Sequence, residues 1–298
     1  MRTISQVHDA TPFGTDKKNL RLFRVIGSTD IDGRGTQHTL SEVDPFIFLD
    51  DALIEGELPT SFNKHPHTGL TAVSYLLEGT ANAWDNIHGV APNLNHAGGV
   101  YCINAGKGIV HGEAPTEGTR RLRLLQLWFN PGIYTLPLPK ASYQLFQPNE
   151  IPCYENERLW VKIIIGTSFK ETSPVDSPWP IQYLHIKLAA RQSHLFTIPD
   201  MSWQGFIYII RGEGIFGKND IKGLAQQCLI IGKEQTDVIQ INNPNDTPLE
   251  FILATGQLHN KPFVKLLGHQ GAIVAATEKQ ARNFMHEYEI DPENFGQS

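Results

Sequence analysis

Short apolar runs broken by turn residues dominate the chain. Leu70–Leu77, Leu122–Phe129, Leu159–Ile165, Tyr183–Leu188, Phe206–Ile210 and Leu249–Ala254 are each five to eight residues long, and many are rich in Val, Ile, Tyr or Phe. Side chains of that kind fill a pleated, half-buried surface, so these runs predict strands. Between them lie Glu78-Gly79, Asn86–Gly89, Asn130-Pro131-Gly132, Arg211–Gly214 and Asn242–Thr247, which carry turn chemistry. Many short strands at close spacing predict an all-β sandwich or barrel rather than βαβ units. A helix is expected only near the end, over Thr277–Tyr288, where a threonine cap precedes strong helix formers.

A weak internal repeat adds a second level of organisation. Ala72–Trp84 (AVSYLLEGTANAW) and Phe206–Phe216 (FIYIIRGEGIF) share an aromatic-containing apolar strand, a charged-Gly turn and a following strand. Two copies of one β-domain follow, with residues 1–165 forming the first and 166–298 the second. The Pro- and polar-rich stretch Thr167–Pro180 reads as the linker.

Composition narrows the class. With 298 residues, 40% apolar content, 26 Gly and 19 Pro, the chain is globular and turn-rich, and long enough to bury two cores. A net charge of −6 and the absence of Lys/Arg blocks argue against direct nucleic-acid binding. No apolar stretch approaches a membrane span, and the first twenty residues lack the apolar core of a signal peptide. Cys102, Cys153 and Cys228 lack CxxC spacing and read as small buried residues in a reducing compartment. A cytoplasmic location is expected, with the nucleus left open.

The candidate chemistry lies in two clusters, His65-Pro66-His67 and His111-Gly112-Glu113. Residues i and i+2 of an extended segment project to one face, so each pair can aim two donors at one point. Pro66 lacks the ladder donor, which favours an edge or an extended turn leading into a strand over Thr68–Leu77. Three imidazoles and one carboxylate suit Zn, Fe, Ni, Cu or Mn. The other histidines read differently. His8, His38, His185, His194, His259 and His286 are isolated, and His88 and His96 sit in the loop-like segment Asn86–Gly99.

These clusters and their surroundings resemble the pirin family, within the cupin superfamily. The resemblance runs through Asp44-Pro45-Phe46, Leu49-Asp50, His65–Gly69, Tyr75–Gly79, Asp85, Ala105-Gly106, Gly108-Ile109, His111-Gly112-Glu113 and Leu125–Phe129. It continues in the second half through Tyr183–Leu188, Phe206–Gly212, Lys261–Val264 and Gly271–Thr277. It implies a bicupin: two jelly-roll-like β-barrel domains facing each other, ending in a short helix. It also implies a metal held only in the N-terminal domain, by His65, His67, His111 and Glu113, with the second domain serving as a lid or packing partner. A cupin carboxylate four residues after HxH is replaced here by Thr71, which matches the pirin ligand set. Departures are Thr68 where pirins usually have Arg, Thr71 where they have an acid, Ala83 where they have His, and Gly112 where they have Ser.

The resemblance further implies one divalent transition metal, Fe(II) first, with Ni, Zn, Mn, Cu or Co as alternatives. Some family members open flavonols such as quercetin with O2. The expected function is therefore a metal-dependent dioxygenase on a flavonol-like aromatic, with Glu113 as general base. Phe46, Phe48 and Trp84 are candidates to stack on the planar substrate. Two alternatives use the same ligands: a redox-responsive regulator that binds a protein partner, or a non-catalytic metal-binding bicupin. A monomer is expected.

Overall fold

The computed structural model describes residues 1–13, 19–27, 40–56, 62–93, 95–267 and 271–297; His38 lies outside them. Most of the described chain is strand, arranged in four larger sheets, two to a domain. A central N-terminal sheet runs in the order Ser142–Phe146, Val100–Asn104, Thr71–Glu78, Arg121–Phe129, Phe46–Glu55, Leu20–Ile26, Thr11–Phe13. Behind it, the histidine sheet runs Val264–Leu267, Ala272–Ala275, Phe62–Thr68, Ile109–Pro115, Thr80–Asp85, Gly89–Val90. The central C-terminal sheet runs Ile4–Asp9, Gln227–Ile231, Gln204–Arg211, Leu249–Gly256, Ile181–Leu188, Leu159–Ile165, Cys153–Glu155. An outer C-terminal sheet of Gln192–Thr197, Val238–Asn243, Glu213–Phe216 and Ile221–Leu224 completes the second domain. The sheets stay open, so each domain is a jelly-roll-like sandwich and not a closed barrel. Among the described residues no helix is long and apolar enough to cross a membrane.

Period-two alternation explains how the two domains meet. On Thr71–Glu78, Val73 and Tyr75 join the core shared with the second domain, whereas Ala72, Ser74 and Leu76 face the histidine sheet. On Arg121–Phe129, Leu125, Leu127 and Phe129 join the shared core, and Leu122, Leu124 and Trp128 face inward. The partners across the interface are Tyr183, Phe206, Tyr208, Ile210, Ile252 and Ala254 of the central C-terminal sheet. The two domains therefore face each other through their central sheets. Burying apolar surface on both sides of each strand at about 25 cal/mol per Å² makes this the main adhesive.

The internal repeat has a structural basis. Thr71–Glu78 leads to Thr80–Asp85, and Gln204–Arg211 leads to Glu213–Phe216; in both, a glycine carries the chain from the central sheet to the other sheet of its domain. Gly79 has φ of 86° and Gly212 has φ of 87°. A Cβ would stand 2.4 Å from the Arg121 carbonyl oxygen at the first turn and 2.9 Å from that of Pro248 at the second. Only glycine meets both demands.

Three expectations are corrected. The stretch Thr167–Pro180 is not a linker. It starts with a small hairpin, Thr167–Ser168 with Glu171–Thr172, buries Ser173 and Val175, and joins Leu159–Ile165 to Ile181–Leu188, which pair in one sheet. Polar composition misled here because a connection over a sheet edge is as polar as a linker. Second, the terminal segments cross over: Ile4–Asp9 pairs with Gln227–Ile231, and Ala272–Ala275 pairs in parallel with Phe62–Thr68. Third, Cys153 is exposed, while Cys102 and Cys228 are buried as expected. The helix Glu278–Ile290 does form, and its Thr277 cap accepts a hydrogen bond from the Gln280 amide.

Candidate metal centre

His65 and His67 lie on their own strand, Phe62–Thr68, not ahead of one running Thr68–Leu77. The chain breaks at Gly69, where φ is 66° and a Cβ would stand 2.0 Å from the Val274 carbonyl oxygen. The two strands consequently belong to opposite sheets. Nor is the histidine strand an edge, since it is flanked by Ile109–Pro115 and Ala272–Ala275. Pro66 is tolerated there because the parallel pairing begins one residue later, at His67 with Ala272.

His111 stands directly opposite His65 in the antiparallel ladder, and Glu113 follows after a bulge in the facing strand. The three imidazoles converge: one nitrogen from each lies within 4.8 Å of the others. Ring centroids are 4.5–4.9 Å apart. His67 and His111 are buried and His65 half-buried, so the cluster has one side toward solvent. Glu113, 5% exposed, is not within that 4.8 Å group. Its Oε2 accepts a 2.5 Å hydrogen bond from Ser74 Oγ. On the neighbouring strand, buried Ala83 is its ladder partner.

The donor set fits a cation. His67 Nε2, both ring nitrogens of His111 and Glu113 Oε1 are buried without a hydrogen-bond partner. Orphans of this kind each cost about 1–3 kcal/mol, and a shared ion would relieve one atom from each of the three residues together, leaving the second His111 nitrogen to carry the ring proton. Burial and the neighbouring imidazoles hold His67 and His111 well below the ordinary histidine range, so both are neutral with a lone pair to offer. Burial pushes the Glu113 carboxyl up to about 7 against the pull of Ser74. His67 Nδ1 accepts a 3.3 Å bond from the Ala272 amide. Coordination through Nε2 would put the ring proton on Nδ1 and end that bond.

Around the cluster the inner wall is mixed. Trp128 meets His67 edge-on at 4.8 Å and stacks on Phe48 at 3.8 Å, and Arg24 lies over Phe48 while pairing with buried Asp50. Ser74 Oγ also lies 2.5 Å from Gln126 Oε1. A hydroxyl has one proton, so the Gln126 amide must turn its NH2 toward Ser74 when Ser74 donates to Glu113. Of the three stacking candidates, Phe48 is beside the site. Phe46 is fully buried in the core between domains, edge-on to Phe206. Trp84 is half-buried and capped by the Lys64 ammonium at 3.5 Å. His88 and His96 stay outside the cluster, His88 bonding Asp85. Sequence reasoning missed Trp128, Ser74, Gln126, Arg24 and Asp50. Their strands were legible, but which residues oppose the clusters is set by the pairing of distant strands.

Two facing sandwiches with a histidine cluster in one of them define a bicupin. Comparison with known proteins narrows this: the Pirin family model matches residues 27–129. A pirin-like protein from Solanum lycopersicum is 32% identical over 260 residues, covering 87% of this chain and 85% of its own. This chain belongs to the pirin family. Among solved structures, a quercetin 2,3-dioxygenase from Acinetobacter baumannii superposes with a TM-score of 0.82, covering 99% of both chains at 19% identity. The bacterial pirin YhhW from Escherichia coli, solved with nickel(II), gives 0.65 at 19% identity, covering 85% of this chain and 99% of its own. At such identity these two likenesses concern the fold alone.

Proposed function

We propose that His65, His67, His111 and Glu113 hold one divalent transition metal, Fe(II) first, and that the site oxidatively opens a flavonol-like ring with O2. The observation that carries the site is the set of buried orphan donors, His67 Nε2, His111 and Glu113 Oε1. When bound, such an ion supplies Lewis acidity for a substrate's adjacent hydroxyl and carbonyl oxygens and redox chemistry for O2. The protein residues do the rest. With Oε1 given to the ion, Glu113 would take the proton of the substrate's 3-hydroxyl on Oε2, which keeps a lone pair beside its bond from Ser74. Trp128, backed by its stack on Phe48, offers an aromatic surface beside His67 for a planar ring. The A. baumannii likeness supports the reading as an analogy of fold.

The test is metal analysis of protein purified anaerobically, followed by a quercetin assay on the same sample. The absorbance should fall with O2, and Glu113→Ala should abolish the loss. If none of Fe(II), Ni, Mn, Co, Cu or Zn supports turnover, the reading fails.

One observation favours a redox-responsive regulator as a second reading. Ser74 touches Glu113, and the next residue, Tyr75, points to the second domain, where its hydroxyl lies 2.8 Å from His185 Nδ1. Asp50 and Asp51 are likewise divided, Asp50 pairing inside with Arg24 and Asp51 accepting from Tyr208 at 2.8 Å. A change of metal charge would thus sit one residue from groups that join the domains. A partner whose binding differs between oxidised and reduced protein would support this reading, and equal binding would count against it.

A further inference from the structure

Both ligand strands are flanked by the last thirty-odd residues of the chain. On one side, Ala272–Ala275 pairs with the His65–His67 strand. On the other, the segment after the helix returns to the strand that carries His111. The joint is Asn86. Its amide donates to the Val110 carbonyl and its Oδ1 accepts from the Val110 amide, both at 2.9 Å, one residue before His111. Its Nδ2 donates to the carbonyls of Phe295 at 2.9 Å and Glu293 at 3.1 Å, and its own carbonyl accepts from Gln297 Nε2 at 2.9 Å. Every polar atom of Asn86 is therefore bonded either to the ligand strand or to the tail.

Packing locks the tail in place. Phe295 is 3% exposed, lies edge-on to Tyr288 at 5.4 Å and covers Gly108, where a Cβ would stand 2.8 Å from its ring. At Gly296 a Cβ would stand 1.8 Å from the Gly108 carbonyl oxygen, so two glycines let the tail lie directly on the turn before Ile109. Upstream, the helix anchors through fully buried Ala281 on Ile273 and Ala275 of the hairpin.

We propose that the tail Glu293–Gln297 is a strap that holds the His111 strand in register for the metal, with Asn86 and Phe295 as positioning residues. This rests on the metal site proposed above. Supporting partners of ligands commonly change affinity by about 10–100-fold when removed. The full chain carrying Phe295→Ala, Asn86→Asp or Phe295→Leu tests it. Asn86→Asp keeps the acceptor for Val110 and removes the donors to the tail, and Phe295→Leu retains apolar cover for Gly108.

Zn(II) affinity by chelator competition should fall about tenfold in Phe295→Ala and Asn86→Asp. The Co(II) absorption envelope should change, the thermal transition should stay cooperative, and Phe295→Leu should restore most of the loss. In metal-free protein, amide exchange at residues 109–113 should quicken in the same two variants. Wild-type Zn(II) affinity and an unaltered Co(II) spectrum in folded Asn86→Asp overturn the strap. If the wild-type protein itself binds no metal, the metal site fails instead. The strap is then judged on exchange alone, and unchanged rates overturn it.

Discussion

Replacing Ser74 by alanine isolates the control of the Glu113 charge. Ser74 is 1% exposed and Glu113 5%, so bulk water does not take over the lost 2.5 Å bond. A hydrogen bond to a charged group contributes about 1.5–3 kcal/mol, which lifts the carboxyl roughly one to two pH units further. Starting from about 7, the ionised fraction at neutral pH falls from about half to between a tenth and a hundredth. A metal must displace that proton, so apparent affinity at pH 7 should drop about 5- to 50-fold. At pH 9 the deficit should shrink to about twofold or less, because the variant's carboxyl is then at least about half ionised. Chelator competition with Zn(II) at pH 7 and pH 9 measures both arms. A deficit of equal size at the two pH values would refute electrostatic control by the hydroxyl, and no deficit at all would remove Glu113 from the ligand set.

Two further outcomes concern the join between the domains. Asp51, 2% exposed, takes both arms of the Arg123 guanidinium at 2.9 and 2.6 Å and the Tyr208 hydroxyl at 2.8 Å. Asp51→Ala should cost about 3–5 kcal/mol by stranding these donors, and Tyr208→Phe about 1.5–3 kcal/mol. Urea midpoints at unchanged slope measure this, and a loss under about 1 kcal/mol for Asp51→Ala would contradict the buried pairing. Buried His185 receives the Tyr75 hydroxyl on Nδ1 and gives its Nε2 proton to Glu250, so it is neutral. Burial lowers it below its ordinary 6.5, outweighing the Glu250 bond. Below pH 6.5 the unfolded chain therefore binds the proton first, and stability should fall as pH drops. Relative to His185→Gln, the wild-type thermal midpoint should decline more steeply on acidification below that pH; parallel curves would show that His185 is not the titrating group.

Much of the fold was legible because strand signals are local. The runs around Tyr75, Leu125 and Phe206 form strands from their own composition, and the glycine after Glu78 or Arg211 ends them through its own backbone freedom. The histidine pairs were legible for the same reason. What misled was any property set by the partner: Pro66 reads as an edge residue until its neighbouring strand is known to pair only from His67 onward. Phe46 and Phe48 read alike and alternation alone would put them on one face, yet a bulge at Ile47 in the pairing with Trp128–Phe129 leaves Phe46 at the domain interface and Phe48 on the Trp128 stack. Thr167–Pro180 carries the polarity of a linker although it spans two paired strands.

The sequence by itself determined that two HxH- and HxE-type donor pairs sit on strands of a two-domain β protein, because residue type and period-two geometry are properties of a few consecutive residues. Only the tertiary structure decided what those donors meet. It set His111 opposite His65, Ser74 on Glu113, Trp128 against His67 and the C-terminal tail on Asn86. These contacts join segments far apart in the chain, and the packing of sheet on sheet selects one pairing from many that local preference would equally allow.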